Sequence, residues 1–114
     1  MKRRDDKVYL NDILESISII ENFIGNLTEA EFSSNLLVHD AIIRRFEIIG
    51  EAASKISNKL KNQANQIEWG LMKDMRNKLI HEYFGVSAVT IYQTIKQDLP
   101  ILKAQIENLI IEIK

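Results

Sequence analysis

The sequence predicts an all-α fold, an antiparallel four-helix-type bundle with long helices and a short extra turn between the first two. Three observations predict it. Apolar residues recur every three or four positions through four long stretches, the spacing of one helical face. Glycine is scarce, at four residues, and proline occurs once, too few turn-formers for an all-β chain of 114 residues. Helix-capping residues stand where periodic stretches open. The length suits one domain spanning residues 1–114.

The first helix is expected over residues 5–26. Its stripe is Tyr9, Ile13, Ile17, Ile20, Ile24 and Leu27. Asp5 and Asp6 suit its positive N-terminal end, and Gly25-Asn26 is its stop. Thr28-Glu29-Ala30-Glu31 has the spacing of a capping box and opens the short extra turn. The second long helix is expected over residues 36–61, with the stripe Val38, Ile42, Phe46, Ile49, Ala53, Ile56 and Leu60. Its other face carries Asp40, Arg44, Glu47 and Glu51 at pairing distance. Gly50 lies mid-helix, where glycine costs about 1 kcal/mol against alanine. A close helix crossing, a dimer contact or simple tolerance each accounts for it.

Polar residues 61–66 read as a loop. The third helix starts at Ile67 or Glu68 and runs to His81 or Tyr83, with Gly85 as its stop and Ser87 capping the next. The fourth is expected over residues 88–113. Ala88, Tyr92, Ile95, Leu99, Leu102, Ile106, Leu109 and Ile113 form a heptad-like seam. The seam keeps register across Pro100, so one kinked helix is expected. Rods of about 25 residues reach roughly 38 Å and share a thin core. Leftover apolar surface then predicts a homodimer.

Composition excludes several classes. There is no cysteine, hence no disulfide, no thiol catalysis and few zinc ligands. The net charge of −1 gives no global basic signature, so any RNA contact must be local. No run of about 18 apolar residues occurs, and no membrane span is expected. Met1-Lys2-Arg3-Arg4-Asp5-Asp6 lacks the apolar core of a signal peptide. The expectation is a cytoplasmic protein with no cofactor and no metal.

The chemistry concentrates in Arg76-Asn77-Lys78-Leu79-Ile80-His81-Glu82-Tyr83. On a helical wheel, Trp69, Met72, Leu79, Ile80 and Tyr83 fall within roughly 60° of one direction, and Arg76 sits at its centre. A charge in an apolar stripe is expensive unless paired or used. Asn77 and His81, four apart, share a neighbouring face. Arg76 and His81 lie roughly 140° apart on a straight helix, so a bend or a second copy of the helix is needed to join them. Histidine moves protons near neutral pH, and the planar arginine fork matches phosphate oxygens. Together they suit RNA cleavage by the RNA's own 2′-hydroxyl, without a metal.

Arg76, four intervening residues, His81, then Tyr83 resembles the R-x4-H-x-Y motif of HEPN domains. Three flanking blocks are similar as well: Tyr9-Leu10-Asn11-Asp12-Ile13-Leu14-Glu15, Ala41-Ile42-Ile43-Arg44-Arg45-Phe46-Glu47-Ile48-Ile49-Gly50-Glu51-Ala52, and Asp98-Leu99-Pro100-Ile101-Leu102. Ile67-Glu68-Trp69 leads into the motif helix, and Gln66-Ile67-Glu68 departs from relatives that often carry proline there, which suggests a looser start. The resemblance covers nearly the whole chain and is closest to the HepT subgroup. It implies a HEPN bundle and a toxin ribonuclease with Arg76, His81 and Asn77 as catalytic residues. It further implies a minimal nucleotidyltransferase antitoxin as partner, which attaches AMP to Tyr83, and a dimer with apposed motif helices.

Bland readings stand beside these. Arg76 pairs with Glu47 or Glu51 as a structural arginine, and Tyr83 is a core aromatic. Asn77 points to solvent, and Lys73 and Lys78 form a solvated face. Trp69, Met72 and Met75 read as core, and His39 has no partners spaced for a metal. The alternative function is a non-catalytic dimeric helical module that binds a nucleotidyltransferase or a nucleotide.

Overall fold

The computed structural model describes residues 5–81 and 87–113, with the side chains of all of these except residues 79–81. The described residues are helical or in short connections, with no strand among them. The order is α1 (Asp6–Ile24), α2 (Glu29–Ser34), α3 (Leu36–Lys55), α4 (Asn58–Gln63), α5 (Trp69–His81), α6 (Ala88–Gln93), a π-helical turn (Thr94–Asp98) and α7 (Leu99–Glu112). The fold is an all-α HEPN-type bundle. α3 packs on α1 along one side and on α5 along the other, and α7 leans on α1. The described residues fill 41 × 28 × 24 Å.

The short helix α2 starts as its spacing predicts. Glu31 N–H donates to the Thr28 hydroxyl at 3.1 Å, and Thr28 N–H donates to the Glu31 carboxylate at 2.8 Å. This reciprocal pair satisfies two otherwise orphaned donors. Asp5, Asn35, Ser57 and Ser87 cap α1, α3, α4 and α6, each side chain accepting one backbone N–H. Leu10, Ile13, Ile17 and Ile20 of α1 are fully buried against Ile42, Phe46 and Ile49 of α3. Each such side chain contributes roughly 1.5–3 kcal/mol by leaving water.

Two expectations need correction. The helix expected over residues 36–61 is broken at Ile56, whose φ of −63° and ψ of 141° are extended. Asp6 causes the break from across the fold. Its carboxylate accepts from Ser57 N–H at 2.9 Å and from the Ser57 hydroxyl at 2.5 Å. That hydroxyl in turn accepts from Leu60 N–H at 3.2 Å. Donors that a continuous helix would have used are thus satisfied by side chains. Ile56 and Leu60 stay buried on both sides of the break, so periodicity did not report it.

The last rod runs on through helical backbone as expected, but Pro100 is accommodated differently. Pro100 offers no N–H to the turn before it and stands in the first turn of α7. The preceding turn widens to the π form, with Leu99 N–H reaching the Thr94 carbonyl. A widened turn shifts the phase of everything before it. Ile91, outside the expected seam, is therefore fully buried, while Ala88 and Tyr92 are half-buried. Tyr92 still anchors the rod: its hydroxyl donates to the Leu27 carbonyl at 2.8 Å.

Candidate active site

The site is built on α5, whose start is firmly held. The Trp69 indole N–H donates to the Ala64 carbonyl at 3.1 Å, and Ile67 and Trp69 are buried. The absence of proline there does not loosen the helix start, because a buried aromatic hydrogen bond fixes it. Met72 is buried and Met75 half-buried against the core, as their spacing predicts.

One turn beyond Met72, Arg76 lies where α5 crosses α3. The crossing is close because of Gly50. A Cβ added to Gly50 would stand 2.3 Å from the Arg76 Cβ and 2.7 Å from the Met72 carbonyl oxygen. Only a residue without a side chain fits, so the close-crossing account of Gly50 is the one the structure supports. The neighbouring Glu51 takes the other end of the arginine. Arg76 Nη1 donates to Glu51 Oε2 at 3.0 Å, and Lys55 approaches the other carboxylate oxygen at 3.6 Å. Of the two glutamates named as partners, Glu51 holds the ion pair. The Arg76 side chain is 19% exposed, and its Nε is buried with no acceptor among the described residues. A buried donor left this way costs about 1–3 kcal/mol.

Arg76 opens on a polar cleft of about 470 Å³ between α1, α3 and α5. Tyr9, Asp12, Arg44, Glu47 and Glu51 line it with Arg76. Asp12 was not singled out from the sequence, although its spacing of three from Tyr9 places both on one side of α1. Asn77 is half-buried and faces elsewhere. With Lys78 it lines a second groove, of about 1080 Å³, which the described residues leave between α5 and α7. Phe46, Ile49, Leu71 and Ile101 make that groove mainly apolar. Within one chain, Arg76 and Asn77 therefore serve different concavities.

His81 is the last residue of α5, and its side chain lies outside the described residues. Tyr83 and the expected stop at Gly85 lie outside them altogether. His39 sits away from the site, its ring 5.2 Å from that of buried Phe32. Among the described residues, no helix is long and apolar enough to cross a membrane.

The chain is similar to several known proteins. The family model described as "Ribonuclease HepT-like" matches residues 13–109. A Thermococcus cleftensis protein named "Probable ribonuclease HepT" is 42% identical over 107 residues, covering 94% of this chain and 97% of that one. A Methanocaldococcus jannaschii protein named "Putative RNase" is 39% identical over 114 residues, covering 100% of this chain and 94% of its own length. Another from that organism, "Gamma-glutamylcyclotransferase and putative RNase", is 40% identical over 97% of this chain, which spans only 50% of that protein. No solved structure matches the chain. The chain belongs to the ribonuclease HepT-like family.

Proposed function

We propose that this chain is an endoribonuclease, acting as a single domain, that cleaves RNA without a metal. The observation that carries the reading is Arg76, a guanidinium held by Glu51 on the wall of a polar cleft. The 2′-hydroxyl attacks the adjacent phosphorus and the P–O5′ bond breaks, leaving a 2′,3′-cyclic phosphate and a 5′-hydroxyl. His81 moves the protons, taking one from the 2′-hydroxyl or giving one to the 5′-oxygen. Arg76 meets the charge that gathers on the phosphoryl oxygens, and Asn77 assists. Arg76 and Asn77 face different concavities. That supports a site completed by a second copy of the chain. The proposed regulation is by a minimal nucleotidyltransferase antitoxin that attaches AMP to Tyr83, in the cytoplasm.

The test is cleavage of a single-stranded RNA oligonucleotide in EDTA. Removing one charge-stabilising donor typically costs about 10²–10³-fold in rate, and Arg76→Ala should lose that much. His81→Ala should lose a comparable factor. Unchanged cleavage by both variants sinks the reading. Intact mass after co-expression with a nucleotidyltransferase checks the modification, which Tyr83→Phe should abolish.

The Arg76–Glu51 pair also favours a second reading, a non-catalytic dimeric module in which the arginine is structural. That reading predicts a lowered melting temperature for Arg76→Met and no cleavage by the unaltered chain.

A further inference from the structure

We infer that Gly50 and Glu51 form a clamp that positions Arg76 for the reaction. The inference rests on the proposed charge-stabilising role of Arg76 and assigns two further residues to it. The two are consecutive on α3 and grip the arginine at opposite ends. Gly50 receives the root of the side chain, where an added Cβ would stand 2.3 Å from Arg76 Cβ and 3.1 Å from Arg76 Cγ. Glu51 receives the tip, with its carboxylate 3.0 Å from Nη1.

A long arginine has four rotatable side-chain bonds and loses catalytic value if it wanders. Fixing root and tip together leaves little freedom between them. The clamp also divides the guanidinium. Nη1 is committed to Glu51, which belongs to the same cleft wall. The guanidinium has donors besides those on Nη1, and Arg76 lines the polar cleft where a phosphate would meet them. Glu51 thus acts through Arg76 and does not touch the reacting atoms.

The two ends respond differently to substitution. Gly50→Ala forces the α5 backbone at Met72 and Arg76 outward by about 1 Å to restore ordinary contact, and a misplacement of that size costs on the order of 100-fold. Glu51→Gln keeps the shape and removes only the charge that holds the tip.

The experiment measures kcat and KM on one single-stranded RNA oligonucleotide for the unaltered chain, Arg76→Ala, Gly50→Ala, Glu51→Gln, Glu51→Asp and the Arg76→Ala/Glu51→Gln double variant. Glu51 is exposed, so its variants fold even if Gly50→Ala does not. Glu51→Gln should lower kcat about tenfold, the scale of one charge-assisted hydrogen bond, with KM unchanged. Glu51→Asp should recover part of that loss. The double variant should be no slower than Arg76→Ala alone, because Glu51 has nothing left to position. Arg76→Ala inactive with Glu51→Gln at full kcat overturns the clamp and leaves the role of Arg76 standing. A double variant slower than Arg76→Ala by the full Glu51→Gln factor also overturns it. Arg76→Ala at full activity, or an unaltered chain that leaves RNA intact, overturns both.

Discussion

Gly50 and Gly70 make a matched pair for testing the close helix crossing, because alanine should act on them with opposite sign. Both are helical, and alanine gains about 1 kcal/mol of helix propensity over glycine in an unobstructed helix. At Gly70 a new Cβ meets nothing within 4 Å, so that gain is realised. Gly70 lies in the first turn of α5, which trims it, and Gly70→Ala should stabilise by about 0.5–1 kcal/mol. At Gly50 the new Cβ meets the Met72 carbonyl oxygen at 2.7 Å and the Arg76 Cβ at 2.3 Å. Neither is the far end of a flexible side chain, so a whole helix must shift. Overpacking of this kind costs about 1–3 kcal/mol or more, which exceeds the propensity gain. The net effect of Gly50→Ala is therefore destabilising by about 1–2 kcal/mol. For a chain of this size that lowers the melting temperature by about 4–8 °C, while Gly70→Ala raises it by about 2–4 °C. Thermal unfolding followed by circular dichroism reads both, at one fixed protein concentration because association shifts the midpoint. Equal shifts of the same sign in the two variants would show that α3 and α5 do not touch at Gly50.

Three further outcomes follow from particular contacts. Ser16 is buried with a hydroxyl that meets no partner among the described residues, so Ser16→Ala should stabilise by about 1 kcal/mol; a loss in chemical denaturation would mean that a partner exists. Asp6→Ala removes two hydrogen bonds to a carboxylate at the α3–α4 break and should cost about 2–3 kcal/mol in the same assay, whereas Asp5→Ala removes one exposed cap and should cost about 1 kcal/mol. The hydrogen bond and charge of Glu21 raise the Lys103 amine above its ordinary 10.5. That contribution is complete below 10.5 and disappears as pH climbs through the raised value, so the Lys103 titration followed by NMR should lie above 10.5, and Glu21→Gln should bring it back toward that value.

What the sequence made legible was local. Periodicity located the four long helical stretches, and the spacing of Thr28 and Glu31 located a capping box that the structure forms at both ends. What it hid was either nonlocal or a matter of phase. The Asp6–Ser57 contact joins residues 51 apart, and no helical period carries that information. Ile56 and Leu60 kept their spacing through the break, so an interrupted stretch looked continuous. The π turn at Thr94–Asp98 concealed Ile91 by rotating the residues before it relative to the seam after it. In the candidate site the sequence narrowed the partner of Arg76 to Glu47 or Glu51. Both are in register on α3, and only the crossing at Gly50 decides that Glu51 meets the arginine.

The same crossing bears on how the proposed site is assembled. Residues adjacent on a helix point about 100° apart, and α5 crosses α3 closely at Gly50. Arg76 must then face the polar cleft while Asn77 faces the groove toward α7. His81 follows Asn77 by one turn, four residues on, which puts both on one side of an ideal helix. In the proposed site, a phosphate at Arg76 would therefore stand away from the groove that Asn77 lines. Bending α5 to cure this would break the Gly50 contact that places the arginine. In the proposed dimer, a second α5 brought alongside by a two-fold axis would supply Asn77 and His81 without moving Arg76. The proposed ribonuclease site is thus better served by two rigid helices than by one flexible one, and mixing an Arg76→Ala chain with a His81→Ala chain should restore cleavage that neither has alone.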